Sequence, residues 1–150
     1  MSKLHEIIDD RDRAILEVLG DNSSFSIQKI AKRTGIPIAT VHHRIKWLKT
    51  QGIIKKYTIV LDKAKLGRAM IVYILIKAMP KSDHIILLQE LMKHEMVEDG
   101  SAITGAFDLI LKVRVANVDE LDKFVLKFLR TVDDIAETQT MIAFRNIIKE

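Results

Sequence analysis

The chain has 150 residues, 24 Lys and Arg against 20 Asp and Glu (a formal net charge of +4), 48% hydrophobic residues and no cysteine. That size allows one ordinary domain or two small ones with buried cores, and the missing cysteines exclude disulfides and thiolate metal ligands. No apolar run approaches the roughly 20 residues that cross a bilayer. The stretch Ala69–Ile76 is short and ends at Lys77, and the opening residues carry Glu6, Asp9 and Asp10. Neither a membrane span nor a secretory leader is therefore expected, and a cytoplasmic protein is.

The charge is unevenly spread. Between Asn22 and Leu61 there is no acidic residue, while Lys29, Lys32, Arg33, Arg44, Lys46, Lys49, Lys55 and Lys56 fall there with His42 and His43. After Asp62 acids and bases interleave. A basic segment joined to a balanced one suggests two tasks, the first facing a polyanion.

The basic half carries three helical patterns. Ile15, Leu16 and Leu19 recur at helical spacing behind the acidic Asp9–Asp10 start, and Gly20 marks an end. A second helix follows Ser26 as N-cap and runs through Ile27, Ile30 and Ala31 to Thr34. A third covers roughly Ile38 to Gln51, with Val41, Ile45 and Leu48 on one face and Gly52 as its stop. Ala31, Gly35 and Val41 meet the requirements of a helix-turn-helix in order: a small residue at the helix contact, a glycine in the turn, and a branched apolar anchor on the recognition helix. Pro37 can open the third helix, where its missing N–H has no partner to lose.

The opposite face of that helix then points outward. Ala39 and Thr40 permit close approach and contact with a thymine methyl, and Thr40, His42 and His43 can hydrogen-bond to base edges or phosphates. Arg44, Lys46 and Lys49 are expected to clamp phosphates. Adjacent histidines diverge on a helix and have no HExxH or Cys partner here, so no metal site is expected at His42–His43, nor any cofactor. Trp47 is read as packing at the helix edge.

Past Gly52 the pattern changes to strands. Ile53–Leu61 alternates and is rich in β-branched and aromatic residues, and Asp62–Gly67 reads as a connector. Met70–Met79 is an apolar strand ended by Pro80. A helix with Ser82 as N-cap follows, striped by Ile85, Leu88, Leu91 and Met92. Strands are expected at Val97–Ile103 and Leu109–Val115, joined by the turn Thr104–Gly105–Ala106–Phe107–Asp108. Asn117 with Glu120 forms a capping box for a helix striped by Val118, Leu121, Val125 and Phe128. A last strand spans about Ala136–Ile147, with Thr138, Thr140, Ile142 and Phe144 on one side. The order is βαββαβ, a ferredoxin-like arrangement. The fold class is therefore α+β: a winged-helix-like helix-turn-helix domain at 1–53, a β linker at 54–67 and a ferredoxin-like domain at 68–150. Both faces of the first long strand are apolar, Val72, Ile74 and Ile76 against Ile71, Tyr73 and Leu75, so a second copy is expected on the open face.

These features together resemble the Lrp/AsnC, or feast/famine, family of bacterial and archaeal regulators over nearly the whole chain. The resemblance rests on Asp12, Ile15, Leu16 and Leu19, on Ile30–Ala31, and on Thr40–Val41–His42–His43–Arg44–Ile45. Leu48, Gly52–Ile53–Ile54–Lys55, Asp62 and the Thr104–Asp108 turn complete it. It implies a transcriptional regulator that binds double-stranded DNA, forms dimers that assemble further, often to octamers, and binds amino acids between dimers. Carried over by position, the effector site comprises Thr104, Gly105, Ala106, Phe107 and Asp108, with Thr138 and Thr140 nearby. The Gly105 turn exposes backbone amides to a ligand carboxylate, and Asp108 is placed to hold an α-ammonium or to cap the turn. Two features depart from the family: Pro37 replaces the usual capping Ser, and Ala106–Phe107 replaces more polar pairs.

Two other functions fit parts of the pattern. Some haem-pathway decarboxylases resemble this architecture, yet no nucleophile motif, phosphate loop or convergent acid–base pair is present, and His5, His84 and His94 are scattered, with surface positions expected. A protein-only module with a basic face for an acidic partner is the third reading.

Overall fold

The computed structural model describes residues 8–147, so His5 and Glu6 lie outside the described residues. The chain divides into two compact units, Met1–Val60 and Leu61–Glu150.

The first unit is built from α1 (Asp10–Asp21), α2 (Ile27–Thr34) and α3 (Ile38–Thr50). Asp9 caps α1 in a reciprocal box: its carboxylate accepts the Asp12 N–H, and the Asp12 carboxylate accepts the Asp9 N–H. Ser26 caps α2 through Lys29 N–H. Gly35 ends α2 at φ 71°, a left-handed conformation that costs glycine nothing and reverses the chain toward α3. Ile15, Leu19, Ile30, Ala31, Ile36, Val41, Ile45 and Leu48 form the core, and Trp47 packs half-buried at its margin. The expected strand at Ile53–Leu61 does not form among the described residues. A strand needs a ladder partner, and none pairs with it here; instead the N–H groups of Ile53 and Ile54 bond to the Leu48 carbonyl at the end of α3.

The second unit is one antiparallel sheet, order β2-β3-β1-β4, with helices on one face. Its strands are β1 (Met70–Ala78), β2 (Val97–Ala102), β3 (Leu109–Val115) and β4 (Ile135–Ile142). Every second residue of β1 and β3 (Val72, Ile74, Ile76 and Ala78; Leu109, Leu111, Val113 and Val115) is buried under Leu87 and Leu91 of α4 (His84–Leu91) and under Leu121, Phe124 and Leu129. Each fully buried aliphatic side chain of this kind contributes about 1.5–3 kcal/mol. On the other face Ile71 is buried and Tyr73 and Leu75 are half-buried.

Three expectations for the helices need correction. Asp83, not Ser82, caps α4, accepting from Ile85 N and Ile86 N; the Ser82 hydroxyl donates instead to Asp134. Leu87 and Leu91 pack on the sheet, and Ile85, expected in the buried stripe, is 54% exposed. The helix α5 (Val118–Asp122) is capped by Asn117 as expected, but the Glu120 carboxylate accepts the Ala116 N–H rather than closing a box on Asn117, and the helix passes into a π-helical turn at Lys123–Phe128. Leu121 and Phe124 are buried, whereas Val118, expected in the buried stripe, is 60% exposed. His94 is not a surface residue: it is half-buried against Phe124 and Phe128, with ring centroids 4.8 and 4.4 Å away, and its Nδ1 accepts the Met96 N–H.

Gly100 sits opposite Leu111 on β2, and a Cβ there would lie 2.8 Å from Leu88 Cδ1 and 3.0 Å from Met92 Sδ and Leu111 Cδ2. Gly100→Ala is expected to destabilise the protein by about 1–3 kcal/mol through overpacking. Urea unfolding checks this; an unchanged midpoint would show that α4 yields freely.

Candidate nucleic-acid interface and effector turn

Burial of Val41, Ile45 and Leu48 fixes the rotation of α3. Ala39, His42, His43, Lys46 and Lys49 are consequently exposed, and Thr40 is half-buried between them and the core. Lys46 and Lys49 form no ion pair among the described residues, and the Lys49 ammonium lies 4.6 Å from the centre of the Tyr57 ring. The start of α3 is held differently from a helix with a capping side chain: Pro37 supplies only its carbonyl, to Val41 N–H.

Arg44 departs from its neighbours. Its guanidinium is turned inward to α1, with Nη2 2.5 Å from Asp9 Oδ2 and Nη1 3.1 Å from Asp12 Oδ2. The Asp12 N–H, against partial desolvation and together with Arg44, holds the Asp9 carboxyl below its ordinary value. A phosphate clamp needs a cation directed at solvent, so the placement of Arg44 does not support the role expected from sequence.

Basic residues of α2 add to the exposed surface. Lys29 and Arg33 flank the Phe25 ring at 4.0 and 4.4 Å from its centre, and Lys32 is exposed beside them. The sequence singled out α2 for charge but not as a site. The Phe25 that gathers two of its cations precedes the helix, outside any periodic pattern.

In the second unit, the turn after β2 closes through Ile103 N–H to the Asp108 carbonyl and Asp108 N–H to the Ile76 carbonyl. Thr104, Gly105 and Ala106 are exposed, Phe107 is half-buried, and Gly105 has φ 124° with open space around it. The Asp108 carboxylate is already engaged: Oδ2 accepts the Ala78 N–H at 2.9 Å, and Oδ1 lies 3.5 Å from Lys77 Nζ. The Ala78 N–H chiefly, then Lys77 and His84, hold this carboxyl below its ordinary value despite some desolvation. Asp108 therefore pins the turn to β1, where the β1–β4 register shifts between Lys77 and Ala78. Thr138 and Thr140 pair with Ile76 and Ile74 on the far side of β1 from β3. Two strand spacings, roughly 10 Å, separate them from the start of β3, so a single chain does not bring the threonines to the turn.

A further polar cluster was not legible in advance. Glu98 is held by Lys63 Nζ at 2.6 Å and Arg114 Nε at 2.7 Å. These partners are distant in sequence, and no local spacing announces them.

Residues 71–150 match the description of the Lrp/AsnC ligand binding domain, and residues 8–55 match that of a winged helix-turn-helix DNA-binding domain. The chain belongs to the Lrp/AsnC family. A transcriptional regulator of helix-turn-helix type from Pyrococcus furiosus is 35% identical to this regulator over 147 residues, covering 97% of the present chain and 98% of its own. The regulator FL11 of the same organism is 32% identical over 139 residues, covering 93% and 91%. Among solved structures, Escherichia coli AsnC superposes with a TM-score of 0.88 at 29% identity over 96% of this chain and 97% of its own. A Neisseria meningitidis regulator solved as a complex with L-Met superposes with a TM-score of 0.89 at 21% identity, covering 95% and 93%. The protein is thus a transcriptional regulator with a DNA-binding helix-turn-helix and a ligand-binding domain of ferredoxin-like fold. No helix among the described residues is long and apolar enough to cross a membrane.

The depressed Asp108 carboxyl predicts a pH-dependent contribution to stability. That contribution is present above the ordinary carboxylate pKa and is lost as pH falls through the lower folded-state value. The melting temperature of Asp108→Asn should fall below that of the wild type at neutral pH, and the two should converge in acid. A constant difference across the titration would show that the charge of Asp108 is immaterial.

Proposed function

We propose that this regulator reads DNA with α3, using Ala39, Thr40, His42 and His43 at base edges in the major groove and Lys46 and Lys49 at phosphates. Lys29, Lys32 and Arg33 of α2 meet the adjoining backbone, as the first helix of the motif does when it crosses the duplex. The observation that carries this reading is the exposed, acid-free face of α3 opposite its buried Val41–Ile45–Leu48 stripe. The protein acts in the cytoplasm as a dimer joined through the Ile71, Tyr73 and Leu75 face of the sheet, with further assembly such as an octamer. Two recognition helices then read half-sites about one helical turn apart.

The effector is an amino acid. The L-Met bound by the Neisseria meningitidis regulator supports that class, as does the exposed Gly105 turn, whose backbone a ligand carboxylate can approach. Thr104, Gly105, Ala106 and Phe107 form one wall, Asp108 holds the turn in shape, and Thr138 and Thr140 contribute from another copy. Effector and DNA affinities are then linked reciprocally. The naming of the relatives as transcriptional regulators favours this reading over a decarboxylase-like enzyme.

The test is binding to a labelled fragment of the gene's own promoter at several salt concentrations, with and without pooled amino acids. Log affinity is expected to fall linearly with log salt, and Lys46→Gln to reduce the slope by about 0.9. Salt-independent binding, or equal binding to heparin and promoter DNA, would contradict the proposal.

A further inference from the structure

The recognition helix lacks a side-chain cap at its start, since Pro37 makes no side-chain hydrogen bond. Its long-range polar tether is Arg44, one helical turn beyond Thr40, whose guanidinium spans Asp9, the cap of α1, and Asp12 in the first turn of α1. Asp12 is 0% exposed. Its Oδ2 receives Arg44 Nη1 and the Asp9 N–H, while its Oδ1 has no hydrogen-bonding partner. A buried carboxylate in that state depends on its one counter-charge. A planar guanidinium can serve two carboxylates at once with fixed geometry, which a lysine ammonium on a flexible stem does not reproduce. The same two nitrogens are thereby turned away from any duplex lying against the exposed face of α3.

We propose that Arg44 is a positioning residue for sequence recognition. By fixing α3 against α1 through Asp9 and Asp12, it sets where Ala39, Thr40, His42 and His43 meet base edges, and it contacts no phosphate. This inference rests on the reading of α3 as the recognition helix. A phosphate clamp adds affinity for every sequence alike and appears in the salt slope. A positioning residue acts on the difference between specific and nonspecific binding, because small displacements break base contacts while long cations still find phosphates.

The test compares full-length wild type with Arg44→Gln, Arg44→Lys and the double variant Asp12→Asn/Arg44→Gln, with Lys46→Gln as a phosphate-contact reference. The double variant removes the uncompensated buried charge, and Arg44→Lys retains a cation, so a failure of Arg44→Gln to fold does not end the experiment. Dissociation constants are measured for the promoter fragment and for a random-sequence duplex of equal length over a salt series, on protein shown to be folded by circular dichroism. Loss of one base-edge contact corresponds to a rise of about tenfold in the promoter constant. The double variant is expected to show that rise, with the random-sequence constant and both salt slopes unchanged, and Arg44→Lys is expected to fall between it and the wild type. The proposal is overturned if both constants rise together while the slope drops by about 0.9, the mark of a lost phosphate contact. It is equally overturned if folded variants keep the wild-type promoter constant. Wild-type binding without salt dependence would instead strike at the recognition reading itself.

Discussion

The packing of Val41, Ile45 and Leu48 into the three-helix core is the constraint on which the exposed face of α3 depends. A helix has one rotational freedom on its support, and burying these side chains removes it. Once they face inward, Ala39, His42, His43 and Lys46 have no choice but to face outward. The proposed reading surface is the complement of the core, and its chemistry follows from positions that the core does not use. Gly35 contributes at the preceding step, since its positive φ turns the chain sharply enough for α3 to cross the end of α2.

Electrostatics refines that arrangement. The stretch from Asn22 to Leu61 contains no acid, so any carboxylate that neutralises a cation of α3 must come from elsewhere. Asp9 and Asp12 of α1 do this for Arg44 alone. The cations of one helix are thus separated by reach: Arg44 leans to the acidic start of α1, whereas Lys46 and Lys49 are exposed and form no ion pair among the described residues. Surface ion pairs contribute little, but Asp12 is buried, and the geometry of this pair is fixed by both helices.

Much of this was legible in the sequence because it is local. The acidic start of α1, the cap at Ser26, the glycine at the α2–α3 turn, the apolar run of β1, and the Asn117 cap all act within a few residues. The failures are non-local. Ser82 and Asp83 are both good caps; Asp83 caps the helix while the Ser82 hydroxyl donates to Asp134, far along the chain. The π turn at Lys123–Phe128 interrupts the α-helical period assumed for Val125 and Phe128, and Phe124 takes the buried place beyond Leu121. His94 looked like an isolated surface residue because Phe124 and Phe128, which enclose it, are far away in sequence. Ile53–Leu61 has strand composition but no ladder partner among the described residues. For the sites, spacing identified the exposed face of α3 but could not reveal that Arg44 turns inward, nor that the Asp108 carboxylate is engaged by Ala78 and Lys77.

The two units meet different demands. The first presents a rigid face to a polyanion, and the second combines an exposed glycine turn with a half-apolar sheet face, features suited to contact with ligand and with further copies. The central claim, that α3 lies in the groove of bound DNA, can be tested directly because the chain has no cysteine of its own. Gln51→Cys places a single thiol at the exposed end of α3, where a tethered DNA-cleaving iron chelate can be attached. The account predicts cuts in short paired clusters in the promoter fragment, the two of each pair about one helical turn apart. Retained binding with uniform cleavage along the fragment, or with none, would contradict it.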